Sequence, residues 1–348
     1  MVRAGAEETA AASAVGAEAG FRPEIAAAIC TRDRPEQLER ALQSLLGQSV
    51  APAVIIVVDN APRTDQVQRL VQNRFPSVRY VREDVQGLDF ARNRALREAS
   101  QEVVAFLDDD AVADPGWIAE TSAVFRESDK ICLCTGRVEP LTLETEGQRL
   151  FEANGGFGRG DQRIVLPAKS TNRLNGLPAP SIAWCISVGS GCSLAVRREA
   201  ILELGGFDEA LDMGAALPGG GDLDIIWRAV TAGHTVVYEP RVSARHEHRR
   251  EVEDAVNQIL GHNTSLIVVL QKALGASRGR ARAGVLAFLG WRLLKPFWRL
   301  LRKAVGRDPL PLSALLRLPV ACWSGIGMYS RMQALARRRA ATAESATA

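Results

Sequence analysis

The sequence lacks paired cysteine motifs. Its six cysteines, Cys30, Cys132, Cys134, Cys185, Cys192 and Cys322, show no Cys-x-x-Cys spacing, which counts against a zinc ribbon. Cys30 and Cys132 lie in strand-like apolar runs and read as small buried hydrophobes. A secretory signal is missing too: the opening residues are Ala, Gly and Glu, without an apolar core segment. That composition predicts a disordered N-terminus over 1–22 and a reducing, cytoplasmic setting. No uncharged apolar run reaches the ~18 residues wanted for a membrane span, and Leu318 to Ser330 comes nearest. No nucleic-acid motif accompanies the basic residues, so nucleic acid is not an expected partner.

Charge of either sign is scarce only in the sum. The 348 residues carry a net +3, but residues 272–340 hold fifteen Lys or Arg and one acid, Asp308. The remainder is therefore acidic, at −11. A basic tail on an acidic body points to a partner, such as a membrane surface. The length suits two domains, or one domain with an extension.

What is present begins with Val103-Val104-Ala105-Phe106-Leu107 and the three carboxylates that follow, Asp108, Asp109 and Asp110. A continuous apolar run predicts a strand buried on both faces. In an open α/β sheet, ligands bind where strands end, and carboxylates there can hold a hard cation. The competing reading is a solvated acidic turn. Similar short strands are expected at 25–30, 54–58 and 78–81, alternating with helices after Pro35, over about 64–74 and after Gly87. That alternation predicts a mostly parallel sheet. From about 141 to 175 no periodicity is visible, and order returns over 182–188 and 192–196. Gly219-Gly220-Gly221 then leads into Asp222 and Asp224 at a helix start, where capping competes with function. Short strands are expected at 234–238 and 242–244, followed by His246 and His248, and His248 reads as a hydrogen-bonded surface or core residue.

Taken in order, these stretches resemble the family 2 glycosyltransferases of the GT-A fold. The resemblance rests on Ala28-Ile29-Cys30-Thr31-Arg32-Asp33-Arg34, Val57-Val58-Asp59-Asn60 and Gly87-x-x-x-Ala91-Arg92-Asn93. Phe106 to Asp110, Gly205 to Glu209, Gly221-Asp222-Leu223-Asp224-x-x-x-Arg228, and Tyr238-Glu239-Pro240 through His246 complete it. It covers roughly residues 24–250, placing a GT-A domain over 23–250 and leaving the basic extension (251–340) and a disordered tail (341–348) outside. The resemblance implies an inverting, metal-dependent hexosyltransferase that uses a nucleotide-sugar donor. Thr31, Arg32, Asp59, Arg92, Asp108 and Asp109 would contact the donor. Asp110 and His246 would hold Mg²⁺ or Mn²⁺, and Asp222 would be the catalytic carboxylate. The family often shows Glu-Asp where this chain has Gly221-Asp222, which leaves the orientation of Asp222 open. The acceptor would be a glycan, a lipid-linked or cell-envelope glycan, or a small molecule. A sugar nucleotidyltransferase would instead want a glycine-rich basic loop where Thr31-Arg32-Asp33-Arg34-Pro35 stands, and a non-catalytic membrane scaffold would need none of the carboxylates.

Within the extension, Arg292, Lys295, Arg299, Arg302 and Lys303 fall on one side of a helix. Leu293, Leu294, Phe297, Leu300, Leu301 and Ala304 fall on the other, and Pro296 should break or kink it. That pattern predicts a detachable helix whose basic face lies on an anionic membrane, holding the protein peripherally on the inner leaflet. The competing reading is an ordinary helix packed on the body.

Overall fold

The computed structural model describes residues 23–166, 173–174, 177–178 and 181–347. The disorder expected over 1–22 lies outside them. The chain opens with β1 (Ile25–Thr31), α1 (Pro35–Leu46), β2 (Val54–Asn60), α2 (Gln66–Arg74), β3 (Arg79–Glu83), α3 (Leu88–Glu98) and β4 (Val103–Leu107). β1, β2 and β4 are the expected apolar runs, and β3 falls where a strand was expected but alternates exposed and buried residues. Pro35 starts α1, where its missing N–H costs nothing, and Leu38, Ala41, Leu42 and Leu45 turn one face inward. These four strands pair in parallel, in the order β3-β2-β1-β4.

Beyond β4 come β5 (Ala111–Ala113), α4 (Trp117–Arg126), β6 (Ile131–Pro140), α5 (Glu146–Ala153), β7 (Ile164–Leu166), β8 (Arg173–Leu174), β9 (Leu177–Pro178) and α6 (Ser181–Cys185). β10 (Ser193–Arg197), α7 (Arg198–Glu203), α8 (Gly221–Thr231) and β11 (Thr235–His246) close the sheet. The order continues β4-β10-β6-β11-β5, with β7 on β11. Here antiparallel neighbours enter: β10 runs against both β4 and β6. The result is the α/β sheet flanked by helices that the resemblance implied, parallel in its first half and mixed in its second.

Two expectations change in this second half. The aperiodic stretch contains α5, started by a capping box in which Thr145 and Gln148 satisfy each other's backbone N–H groups. The two strands expected around Pro240 are one strand, β11, because a register shift between Glu239 and Ser243 absorbs the proline.

The extension is helical throughout: α9 (Val252–Ala276), α10 (Gly279–Ala304), α11 (Leu312–Ser324) and α12 (Met328–Thr347). α10 runs through Pro296 without a break, with that residue buried. α12 continues through Thr347, over residues read as a disordered tail, where Ala341, Ala343 and Glu344 favour helix. α10 packs on α9 and α11 rather than standing apart. Val285, Leu289, Leu310, Leu315 and Leu318 belong to the same hydrophobic core as Ala26, Ile56 and Phe106 of the sheet. The orientation of α10 is the reverse of a membrane-facing basic helix. Arg292, Lys295 and Arg299 line a cavity, joined by the exposed Trp291, while Leu294, Phe297, Trp298 and Leu301 are exposed. No helix among the described residues is long and apolar enough to cross a membrane.

Candidate active site

The carboxyl ends of β1 and β4, the start of α8 and the helices α9 and α10 enclose one cavity of about 970 Å³. Thr31, Arg32, Arg92, Asp108, Asp109, Asp110, Asp222 and His246 all line it. Eight of the nine expected site residues are thus brought to one place.

The acidic corner is tightly braced. Thr31 Oγ1 donates to Asp109 Oδ2 at 2.7 Å, and Arg34 Nη1 donates to Asp109 Oδ1 at 3.1 Å and to Asp110 Oδ2 at 3.3 Å. Burial and the neighbouring Asp110 push the Asp109 carboxyl up to about 6, despite Arg34. Asp110 goes the other way. Burial works against its charge, but His246 and Arg34 outweigh it and hold the carboxyl below its ordinary range. His246 Nε2 lies 3.1 Å from Asp110 Oδ1. Ligand atoms of Asp108, Cys192 and His246 also lie within 4.8 Å of one another. Burial, with Asp108 and Asp110, pushes the Cys192 thiol well up, leaving it a neutral neighbour.

Behind His246 stands a chain of partners. His246 Nδ1 and His248 Nδ1 are 3.0 Å apart, and His248 Nε2 is 2.7 Å from Glu152 Oε1. A carboxylate accepts, so His248 donates through Nε2 and accepts at Nδ1 from His246. This arrangement turns His246 Nε2 towards Asp110. Such a backing partner is what orients a metal-binding imidazole. The convergence of two carboxylates with a tautomer-fixed imidazole fits a divalent ion that takes oxygen and nitrogen ligands. Of the surface and core readings for His248, the structure shows the core one: it is buried, hydrogen-bonded, and also braces His246.

Asp222 sits in the first turn of α8. Its Oδ2 accepts from the backbone N–H of Gly191 at 2.8 Å and its Oδ1 from Leu223 N–H at 2.7 Å. These bonds fix the orientation of its carboxyl group at the helix N-terminus. A Cβ at Gly191 would stand 2.7 Å from Arg92 Nη2, so a side chain beside Asp222 would displace that guanidinium. The missing family glutamate also has a physical explanation. A Cβ at Gly221 would stand 2.1 Å from Asp89 Oδ2 and 2.6 Å from Asp212 Oδ2. Those two carboxylates occupy the space, held by Arg92 Nη1 at 2.9 and 3.3 Å. Burial opposes the charge of Arg92, but Asp212 and Asp89 outweigh it and raise its pKa. Asp224 is buried and paired with Arg228 at 2.7 Å and Lys272 at 2.7 Å, so it braces α8 rather than capping it.

Asp59 is the residue not brought to the cavity wall. It is fully buried at the end of β2, where Oδ2 accepts from Tyr80 Oη at 2.9 Å and Oδ1 has no partner. Its neighbour Asn60 lines the cavity instead. Sequence reasoning missed Asp212, Arg159, His262, Arg292 and Lys295, all of them cavity-lining. Arg159 is held by the backbone oxygens of Ile186, Gly156 and Gly158, and burial lowers its pKa.

Comparison with known proteins matches the geometry. The family model for glycosyl transferase family 2 matches residues 27–205. Among curated relatives, a pre-mycofactocin glycosyltransferase of Mycobacterium tuberculosis is 27% identical over 47% of this chain and 31% of its own length. A glucosyl-dolichyl phosphate glucuronosyltransferase of Haloferax volcanii is 27% identical over 53% of this chain and 56% of its own length. The matches thus span about a third to a half of these relatives. Among solved structures, a Pyrobaculum calidifontis mannosyltransferase in complex with GDP-Man and Mn²⁺ superposes with a TM-score of 0.54 at 18% identity, covering 92% of this chain and 85% of that one. GalNAc-T7 with UDP, GalNAc and Mn²⁺ gives 0.50 at 15% identity, covering 72% of this chain and 51% of that one. The sheet order, the carboxylate corner at the end of β4 and a family match over half the sequence lead to one conclusion: the chain belongs to glycosyl transferase family 2.

Proposed function

We propose that this protein is a metal-dependent, inverting hexosyltransferase that moves a sugar from a nucleoside-diphosphate donor to an acceptor hydroxyl. The observation that carries the reading is the placement of Asp222 in the same cavity as Asp108, Asp110 and His246. The solved neighbours, with Mn²⁺ and nucleotide or nucleotide sugar, support the donor class.

Each residue has a task in this reading. Thr31 and Arg34 fix Asp109, which keeps the corner rigid before the donor arrives. Arg32, whose Nε makes no hydrogen bond and sits 3.8 Å from Asp33 Oδ2, is available to the donor. Asp108, Asp110 and His246 would hold Mg²⁺ or Mn²⁺, and that ion when bound neutralises the diphosphate as a Lewis acid. Asp222 takes the proton of the acceptor hydroxyl as its oxygen bonds to the anomeric carbon. The bond to the diphosphate breaks, and its electron pair leaves with the diphosphate. A single base opposite the leaving group gives inversion. The backbone donors at Gly191 and Leu223 hold Asp222 in one orientation for this transfer.

For the acceptor we favour a lipid-linked glycan precursor at the inner membrane surface. The exposed ridge of α10, with Leu312, Leu316, Val320 and Trp323 on neighbouring α11, supports this placement. Arg278, Arg280 and Arg282 are exposed at the start of α10, where they would meet anionic headgroups. The test is turnover. Nucleotide sugars are screened for Mn²⁺-dependent thermal stabilisation, and the best donor is assayed with candidate acceptors. Asp222→Asn should lower turnover by ~10²–10⁴ while donor binding persists. Near-native turnover in that variant would contradict the assignment.

A further inference from the structure

The cavity continues past Asp222 to a wall built by α9 and α10, and its charge there is not balanced. Arg299 is neutralised by Asp308, with both contacts at 2.7 Å. Arg292 has no carboxylate; its Nη2 donates to the neutral amide oxygen of Asn263 at 2.7 Å. Lys295 makes no hydrogen bond or ion pair among the described residues. Both side chains line the cavity. Burial, aggravated by Arg292 and Arg299, pushes the Lys295 ammonium down to about 8. Burial also lowers the pKa of Arg292. Two cations turned inward, with no acid paired to them among the described residues, are unfavourable unless something supplies the counter-charge. α10 packs chiefly on α9, α11 and α6, so the two cations belong to the wall those helices build rather than to the strands that carry Asp108 to Asp110.

The outer side of the same helix adds the second half of the argument. Leu294, Phe297 and Trp298 are exposed there, within a turn of Arg292 and Lys295, and Trp291, also exposed, lines the cavity as well. An anionic group at the cavity wall would therefore adjoin an apolar, aromatic ridge. From this juxtaposition we infer that Arg292 and Lys295 bind the phosphate or diphosphate of an acceptor whose apolar chain lies along the α10 ridge. The inference deepens the proposed function and rests on it for the identity of the acceptor. The anion neutralises both cations, and its charged oxygens accept hydrogen bonds from them. The hydroxyl that reacts is carried by the same molecule, towards Asp222.

The experiment uses the full-length protein and three probes: dodecyl phosphate, dodecanol and inorganic phosphate. Dodecyl phosphate should bind, and should do so more weakly as the pH rises past about 8 and Lys295 loses its proton. Lys295→Gln should weaken it by roughly tenfold or more, and Arg292→Gln likewise, as expected for a lost hydrogen bond to a charged group. Lys295 has no partner to leave stranded, so Lys295→Gln guards against a folding failure at Arg292, and melting temperatures check both. Mn²⁺-dependent donor binding should be unchanged in each variant. Inorganic phosphate should compete only at far higher concentration, and dodecanol should bind poorly. Unchanged dodecyl phosphate binding in well-folded variants would overturn the anion site. Equal binding of inorganic phosphate would overturn the lipid acceptor, and equal binding of dodecanol would show a merely greasy surface. If no nucleotide sugar binds yet dodecyl phosphate does so through Lys295, the proposed function fails and the anion site stands.

Discussion

The donor corner and the α10 wall share one cavity but are built on opposite plans. At the donor corner Asp109 and Asp110 are already met by Thr31, Arg34 and His246. At the α10 wall Arg292 and Lys295 have no counter-charge among the described residues. A closed network keeps its geometry before any ligand arrives, which is what metal ligation and phosphate alignment require. An open one gains most of its stability from the ligand, which suits the recognition of a charged acceptor. The extension is packed into the fold: its helices wall the cavity and share the core of the sheet domain.

The most drastic way to break this comparison is to remove the α10 wall. Deleting everything after Gln271 removes Val285, Leu289, Leu310, Leu315 and Leu318 from the common core. At ~1.5–3 kcal/mol for each large apolar side chain, the loss rivals the whole stability of a domain. The truncated chain should be insoluble or lack a cooperative melt. A soluble, cooperatively folded, donor-binding fragment would show that the extension is a detachable anchor after all.

A smaller effect sharpens the donor side. Glu152→Gln keeps the shape but weakens the hold on His248, and through it on His246. Metal affinity, measured by Mn²⁺ titration, should fall by about 10- to 100-fold. Dodecyl phosphate binding at the far wall should not change, so a loss of both would mean that the two ends are not separable. The gentlest test is Asp59→Asn. Burial raises the Asp59 carboxyl from 3.8 to about 6, Tyr80 notwithstanding. An acid with a raised folded-state pKa binds more protons when folded, so its contribution to stability falls as pH climbs from about 4 to 6. Asp59→Asn should flatten that decline in denaturant melts, and an unchanged pH slope would place the charge of Asp59 in water.

The donor corner was the legible part because its geometry follows from local rules. An apolar run ending in carboxylates gives β4 and Asp108 to Asp110, and three glycines before Asp222 give the start of α8. The α10 wall was not legible. Periodicity correctly separates Arg292, Lys295 and Arg299 from Leu294, Phe297 and Leu301, but which side turns inward depends on what the neighbours offer. Here they offer a polar cavity, so the basic side is the inner one. Asp212 was hidden for a related reason. Its role arises only because Gly221 leaves room that Asp89 and Asp212 fill together. The start of α5 did carry a readable signal, Thr145-x-x-Gln148, masked by the glycines that follow. In β11 the proline looked like an ending, and only the bulge beside it lets the strand continue to His246.

The account rests on the donor corner holding a nucleoside diphosphate through a divalent ion. Calorimetric titration of the best donor into the full-length protein, with Mn²⁺ and again with chelator, tests that claim most directly, alongside Asp110→Ala and His246→Ala at unchanged melting temperature. The account predicts binding with Mn²⁺ that collapses with chelator and in both variants. Donor affinity that is the same in all four titrations would contradict it.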